Sequence, residues 1–447
     1  MLSSSADSVF DQAPSVAINA SGDLVAAWAG EGAGGRMRLW SVVGRASGEF
    51  ERPQLLSADG RPTASVAIDA TGRAIAAWVG GPTGRAMYAV RPAGRRFGRP
   101  RFLGLAPPNE RSSDEEVFVA AGANRFALAW RGYVGRVNAG GQRMPGLTNA
   151  VAVRVSDPAT GRLGRTVVLG RGSLGGGEPW IRPLSVSDAG AVLVQWASFA
   201  GSSQALVVRR LLATRTVGGG AFESVQLPDP VERPDGYQNR VVLISAPGGR
   251  MAALLDRTER SGESPGPTLP PAISRFGPSG FSAPVLAPAA NPHLSAAAAA
   301  AFGVAEEVFV AWVDQPRRAF PQADVGPLRL AVLDAAGSFS RNTLLSTGLS
   351  RGPMAARLGD GRVLFLWSAG GDRAVGGRYR AALVDQAGEP AAIPAPSGRP
   401  ALDWYGSHYR ELAATGDYAA LIWEEFHRRR SSAAPPQGRV LISVGRF

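Results

Sequence analysis

The side chains best suited to chemistry gather near the C-terminal end of the sequence, on either side of one short apolar segment. Before this segment stand Trp404, Tyr405, His408, Tyr409 and Arg410, and after it stand Glu424 and His427. Aromatic rings can stack on sugars, arginine can hold an acid by two parallel hydrogen bonds, and a carboxylate near an imidazole can transfer protons. The same residue types occur singly as Trp180, Tyr237 and His293. We predict that these residues bind a ligand.

Three functions are compatible with this set of residues. The first, which we favour, is a non-catalytic binding module for a carbohydrate or another polar or acidic ligand. The second is a carbohydrate-active enzyme, either a glycoside hydrolase or a lyase. Its candidate carboxylates are Asp403, Glu424 and Glu425, and its candidate proton carriers are His408 and Tyr409. The third is a scaffold that binds a protein partner. Because the same residues can also simply fill loops, no catalytic residue is assigned.

Composition excludes several other kinds of chemistry. The sequence has no cysteine, so it cannot form a disulfide, a thiolate metal site or a cysteine nucleophile. It has no phosphate-binding glycine motif and no metal-binding motif, so we expect no cofactor and no metal. The formal charge is +12, and every basic residue is arginine. We interpret this as the composition that a GC-rich genome imposes, and selection for a polyanionic partner stays open as the alternative. Without a recognised module, this charge predicts no specific nucleic-acid partner.

The element that must position these residues is a short repeated segment. The segment Ser65–Trp78, SVAIDATGRAIAAW, closely matches Ser15–Trp28, SVAINASGDLVAAW. Each copy has an apolar run, a turn with glycine, a second apolar run and a tryptophan six residues after the glycine. Related frames end at Trp130, Trp196, Trp312, Trp367 and Trp423, and at Leu255 in the fifth copy. The chain is therefore an array of eight copies of one unit, which we number one to eight.

Each repeat contains four short β candidates, a to d, with turns between c and d and no amphipathic helix. Four-stranded units at this spacing predict an all-β, single closed β-propeller of eight blades over residues 1–447. Their approximate bounds are 8–57, 58–104, 105–170, 171–228, 229–287, 288–346, 347–394 and 395–447. We expect the tryptophan that closes strand b to pack between blades. The last repeat lacks a strand d, and we expect the N-terminal segment MLSSSADS to supply it.

In a propeller with this strand order, the loops from d to a and from b to c share one face, and the predicted site residues fall in those loops. We therefore expect the working surface on this face, beside the eighth blade. The longest apolar run, residues 296–305, is too short to span a bilayer, so we expect no membrane span. We also expect a monomer.

The blade pattern resembles that of bacterial β-propeller repeat proteins, mostly uncharacterised and exported, that are often labelled sialidase-like. The resemblance covers the whole chain but not a catalytic motif. Sialidases carry the motif Ser-x-Asp-x-Gly-x-x-Trp between strands c and d, where this chain has Asp334-Ala-Ala-Gly337-Ser-Phe339 and Asp385-Gln-Ala-Gly388. The resemblance implies an extracellular or cell-envelope location, although the sequence begins without a signal peptide and a cytoplasmic location stays open.

Overall fold

A computed structural model describes most of the strands and the turns between them. The described residues are 14–31, 37–80, 84–103, 114–134, 148–173, 180–181, 184–187, 190–200, 207–215, 220–227, 240–246, 250–256, 260–261, 264–265, 270–277, 279–288, 295–314, 326–370, 378–396, 410–427 and 437–447. Every regular element among them is a β-strand, which confirms the predicted all-β class. Within this part of the chain, no helix has the length and apolar character needed to cross a membrane.

The chain divides into two compact units. The first comprises Met1–Gly236, Pro247–Gly249 and His427–Val444, and the second comprises Tyr237–Ala246, Arg250–Phe426 and Gly445–Phe447. In repeats one to three and six to eight, strands that follow each other in the sequence are also neighbours in the sheet, whereas repeats four and five contain additional short strands that depart from this order. This local pairing is the topology that the repeated frame predicts.

Repeats one to four supply the first four sheets. Their strands are β1 (Ser15–Ile18), β2 (Asp23–Glu31), β3 (Met37–Arg45) and β4 (Gln54–Ser57); β5 (Gly60–Ile68), β6 (Ala74–Gly80), β7 (Arg85–Arg91) and β8 (Arg101–Phe102); β9 (Asp114–Ala121), β10 (Phe126–Val134), β11 (Thr148–Val155) and β12 (Val167–Ser173); and β13 (Trp180–Ile181), β14 (Ser185–Val186), β15 (Val192–Ala200), β16 (Val207–Arg215) and β17 (Glu223–Gln226).

Repeats five to eight supply the remaining sheets. Their strands are β18 (Arg240–Ala246), β19 (Arg250–Asp256), the ribbon β20 (Arg260–Ser261) and β21 (Ser264–Pro265), β22 (Ala272–Gly277), β23 (Gly280–Phe281) and β24 (Val285–Leu286); β25 (Ser295–Phe302), β26 (Val308–Asp314), β27 (Gly326–Leu333), β28 (Phe339–Arg357), β29 (Val363–Ala369), β30 (Arg378–Val384) and β31 (Pro390–Ile393); and β32 (Arg410–Thr415), β33 (Tyr418–His427) and β34 (Gln437–Arg446).

The number of blades differs from the prediction. Repeats six and seven share one seven-stranded sheet, because β28 pairs with β27 along its first half and with β29 along its second half. The described residues therefore form seven sheets of three or more strands. The prediction of eight separate four-stranded blades is wrong. The expected closing strand lies in residues 1–13, outside the described residues, so closure of the ring stays a prediction.

Strand b is the centre of each repeat, because it is buried on both faces. In β6 all residues are buried, and successive side chains point in opposite directions, as they must in a strand. Ala74, Ala76 and Trp78 pack with repeat one, whereas Ile75 and Ala77 pack with repeat three. The tryptophans that end strand b in the other repeats are buried as well. The predicted place between repeats is confirmed for the five that pack against the preceding repeat, namely Trp78, Trp130, Trp196, Trp312 and Trp367.

The serine of strand a connects repeat one to repeat two and repeat two to repeat three. The Ser15 hydroxyl accepts a hydrogen bond of 3.1 Å from the Val66 amide, and the Ser65 hydroxyl accepts one of 3.0 Å from the Val119 amide. The turn that follows strand a also connects repeat one to repeat two, because the Asn19 side-chain amide donates a hydrogen bond to the Asp69 backbone carbonyl at 3.0 Å. The near-identity of the first two copies thus preserves contacts between repeats as well as within them.

Close packing between repeats three and four makes Gly122 a sensitive position. A Cβ atom there would lie 2.4 Å from the Ser187 carbonyl oxygen and 2.9 Å from a Val186 methyl group. We expect Gly122→Ala to lower the free energy of unfolding by about 1 to 3 kcal/mol, as overpacking does. Gly98→Ala is the control, because its Cβ would meet only the Val90 carbonyl oxygen at 3.5 Å. Equal urea midpoints for the two variants would contradict this prediction.

Candidate functional site

The structure tests few of the residues predicted to form the site. Six of them lie outside the described residues: Trp404, Tyr405, His408, Tyr409, Tyr237 and His293. For the other four, only the backbone is described. Arg410 opens β32 opposite Trp423, Glu424 and His427 lie in β33, and Trp180 lies in β13 opposite Ala197. The predicted gathering beside repeat eight therefore stays a prediction.

The described residues instead form a groove of about 1260 Å³ in the second compact unit, between repeats six and seven. One wall is residues 344–348 of β28, the outer strand of repeat six. The other wall comes from β30, β31 and residues 394–396 of repeat seven, and β29 contributes Trp367 and Ala369. The groove lies where β29 ends and β30 begins, at the end of the sheet that carries the loop from b to c.

The groove exists because the packing between the two repeats becomes thinner toward the outside. Deeper in the sheet, Phe309, Leu330, Phe365 and other buried side chains fill the space between repeats six and seven. Toward the outside, repeat seven presents small side chains, among them Ala369, Ala382 and Ala392. Leu344 on the facing wall remains 43% exposed. Small residues opposite a partly exposed strand leave room that a ligand can occupy.

Two arginines give the groove its charge. Arg378 and Arg380 are both exposed, and they alternate along β30 with the buried Tyr379. Residues two apart in a strand lie on one face with Cα atoms roughly 7 Å apart. Ser346 and Thr347 place hydroxyl groups on the facing wall. The described residues that line the groove include neither a carboxylate nor a histidine, so the formal charge of this described lining is entirely positive.

Other arginines of the same sheet are neutralised within the protein. Their ion pairs are Arg329 with Asp314, Arg341 with Glu389 and Arg362 with Asp360. Arg378 and Arg380 have no carboxylate partner among the described residues. Because Arg378 and Arg380 lack such a partner among the described residues, the groove is suited to an anion.

Our sequence analysis did not select Arg378 or Arg380. It sought chemistry in loops and treated strand c as framework. A comparison of the strand c segments was the available signal, because RYRAALV carries two arginines where the second repeat has AMYAV after its first arginine. The importance of the second arginine becomes visible only when the facing residues of each repeat are known.

No protein-family model matches the chain, and no curated protein matches it. Among solved structures, similar chains include a protein of unknown function from Dyadobacter fermentans, 13% identical, with a TM-score of 0.42 and coverage of 76% of this chain and 96% of that one. A puromycin hydrolase is 13% identical, with a TM-score of 0.46 and coverage of 93% and 59%. The NanB sialidase of Streptococcus pneumoniae is 10% identical, with a TM-score of 0.40 and coverage of 82% and 67%.

These likenesses are distant, and the chain spans only 59% of the puromycin hydrolase. No activity is transferred from them. The class of the protein follows from its own topology, a succession of antiparallel sheets built from repeats whose strand b ends in a buried tryptophan in all but the fifth. The chain is an all-β protein of the β-propeller class.

Proposed function

We propose that this protein is a non-catalytic binding propeller, and that the groove between repeats six and seven holds an acidic, polar ligand of oligosaccharide size. The observation that carries this proposal is the pair of exposed arginines, Arg378 and Arg380, on one face of β30 without a carboxylate partner among the described residues. Arginine presents a planar set of donors that matches carboxylates and related anions, and two such groups in a row can hold an extended acidic chain.

The size and the lining of the groove support a ligand of this kind. Its volume of about 1260 Å³ is above the roughly 300 to 1,000 Å³ of pockets that hold drug-sized molecules. Ser346 and Thr347 also line the groove, and their hydroxyl groups can hydrogen-bond to a sugar. A longer polar molecule can therefore contact both walls at once.

The same lining favours binding over catalysis. Hydrolysis of a glycosidic bond usually needs two carboxyl groups, and elimination needs a general base. Among the described residues, neither a carboxylate nor an imidazole lines the groove. These residues can neutralise and position an anion, but they include no carboxyl pair for hydrolysis and no histidine to act as a general base. We therefore favour a binding module over the carbohydrate-active enzyme.

We expect the double variant Arg378→Gln with Arg380→Gln to bind an acidic oligosaccharide at least about tenfold more weakly, because charge-assisted hydrogen bonds contribute about 1.5 to 3 kcal/mol each. The probe is an oligogalacturonate, and the measurement is isothermal titration calorimetry. The matched control is Arg99→Gln with Arg101→Gln. It removes the same charge from two exposed arginines that are also two apart, in repeat two.

Equal weakening in both double variants would show that net charge alone attracts the probe, and would overturn this proposal. Failure of oligogalacturonate and a sulfated oligosaccharide to bind the unaltered protein would overturn it as well. A thermal melt of each variant shows whether the fold is retained. Since all four arginines are exposed, we expect unchanged melting temperatures.

Four sequence-based predictions remain part of this proposal. They are membership of the uncharacterised exported propeller proteins of bacteria, an extracellular or cell-envelope location, a monomeric state and closure of the sheets into one ring. The predicted residues beside repeat eight, including Trp404 and His408, are proposed as a second contact region for the same ligand.

A further inference from the structure

We infer that the groove is a carboxylate site in which the acid of the ligand takes the place that an aspartate holds in the preceding repeat. This inference rests on the proposed function and makes it more specific. It comes from a comparison of repeats six and seven, which lie in the same sheet and have the same strand register around their tryptophans. Repeat six contains an arginine of strand c together with an aspartate that binds it, whereas repeat seven contains the equivalent arginine without an aspartate.

The register shows which residues are equivalent. On strand b of repeat six, Trp312 lies opposite Arg329 of strand c. In repeat seven, Trp367 lies opposite Arg380 in the same way. Counting from these pairs, the residue two after the tryptophan is Asp314 in repeat six and Ala369 in repeat seven. Arg329 and Arg380 are therefore the same position of two successive repeats.

In repeat six, the guanidinium of Arg329 has hydrogen-bond partners within the protein. The Nε atom of Arg329 donates to Asp314 Oδ2 at 2.5 Å, and Nη1 donates to Asn342 Oδ1 at 3.3 Å. The Asn342 amide in turn donates to the Pro288 carbonyl at 2.7 Å, which fixes its orientation. The Asp314 side chain is only 7% exposed. This guanidinium thus has a carboxylate on one side and an amide oxygen on the other.

In repeat seven both of these partners are replaced by alanine. Ala369 stands at the position of Asp314. Asn342 lies opposite Ala331, and the equivalent residue of strand c, Ala382, lies opposite Ala392. Ala369 and Ala392 both line the groove, and Arg380 is exposed in it. The two removed side chains leave their space open beside the arginine that they would have neutralised.

The arrangement in repeat six indicates what the ligand must present. By analogy with Arg329 and Asp314, the Nε atom of Arg380 can donate to a carboxylate oxygen of the ligand. By analogy with Arg329 and Asn342, a second nitrogen of the same guanidinium can donate to a neutral oxygen of the ligand. A sugar acid, with a hydroxyl group close to its carboxylate, presents both. Arg378, next along the same face of β30, can hold the acid of a following unit.

The test introduces the missing side chains into repeat seven. We expect Ala369→Asp with Ala392→Asn to bind oligogalacturonate at least about tenfold more weakly than the unaltered protein, because the internal acid then occupies Arg380. The matched control is Ala387→Asp, which adds the same charge to an exposed turn of the same repeat. Ala369→Asn separates bulk from charge, and we expect it to bind more tightly than Ala369→Asp.

Selectivity is measured on the unaltered protein with three probes: oligogalacturonate, its methyl ester and a sulfated oligosaccharide. We expect clear preference for the first. The inference is overturned if the double variant binds oligogalacturonate as well as Ala387→Asp does. It is also overturned if the unaltered protein binds the methyl ester or the sulfated probe as well as oligogalacturonate. In both cases the proposed function stands as long as an acidic probe binds the unaltered protein. If neither acidic probe binds the unaltered protein, the proposed function itself fails. Should the double variant not fold, the three-probe comparison decides the inference alone.

Discussion

Replacing Trp312 by alanine is expected to lower the free energy of unfolding by about 3 to 5 kcal/mol, the usual cost of truncating a large buried aromatic side chain. Trp312 is fully buried, and it packs against Leu254 and Ile273 of repeat five as well as against its own sheet. Its removal leaves a cavity between two repeats whose strands are each held by several neighbours. Such strands cannot close the gap by a small shift, so most of the lost packing is not recovered.

The loss is measured by urea unfolding followed by circular dichroism, with Phe102→Ala as the control. Phe102 is 58% exposed on an outer strand, and its described partner is the Arg85 guanidinium at 5.4 Å from the ring centre. We expect this control to lose less than about 1 kcal/mol. Similar losses in the two variants would contradict the assignment of the repeated tryptophan to the packing between repeats.

Asp69→Ala is expected to cost about 3 kcal/mol, because it removes a buried carboxylate that organises a whole turn. One oxygen of Asp69 accepts hydrogen bonds from the Thr71 amide, at 3.0 Å, and from the Arg73 amide, also at 3.0 Å. The other oxygen lies 2.7 Å from Arg73 Nε. Arg73 continues to the next repeat by donating to the Asn124 carbonyl at 2.9 Å. Alanine would leave these donors without their acceptor.

The sequence itself supplies the control for this prediction. Repeat one has Asn19 where repeat two has Asp69, and the Asn19 side-chain oxygen accepts from the Ser21 amide at 3.1 Å and from the Asp23 amide at 2.9 Å. Asp69→Asn therefore keeps the turn and loses only the ion pair, so we expect a loss of about 1 kcal/mol. Equal losses for the alanine and asparagine variants would show that the ion pair, and not the turn, carries the stability.

The repeated frame was a sound basis for predicting the strands and the core. Glycine at the turn between strands a and b adopts a positive φ, +79° at both Gly22 and Gly72, which only glycine adopts without strain. The tryptophan at the end of strand b is buried in every repeat where the frame has one. These features depend on near neighbours in the chain, on alternation along a strand and on the volume of one side chain. Local sequence specifies such features directly.

The number of sheets depends on which strands pair with each other, and local sequence does not specify this pairing. Residues 339–357 contain Gly348, Gly352 and Pro353, which in a sequence predict a break between two blades. In the structure they lie within one continuous strand, β28, whose two halves pair with different neighbours. Whether the strand ends at these residues is determined by hydrogen bonds to β27 and β29, and those partners are set by tertiary structure.

The sequence by itself determined the class of fold, the repeat and its buried tryptophan. Its placement of the aromatic and histidine residues in loops is wrong for Trp180 and His427, which lie in strands, and stays a prediction for those outside the described residues. Only the tertiary structure showed that the positions of Asp314 and Asn342, which bind Arg329, are held by Ala369 and Ala392 in the repeat of Arg380. The two arginines look alike in the sequence, since each precedes an apolar run in a strand c segment. What separates them is the set of side chains on neighbouring strands, and cross-strand register brings those together from distant parts of the chain.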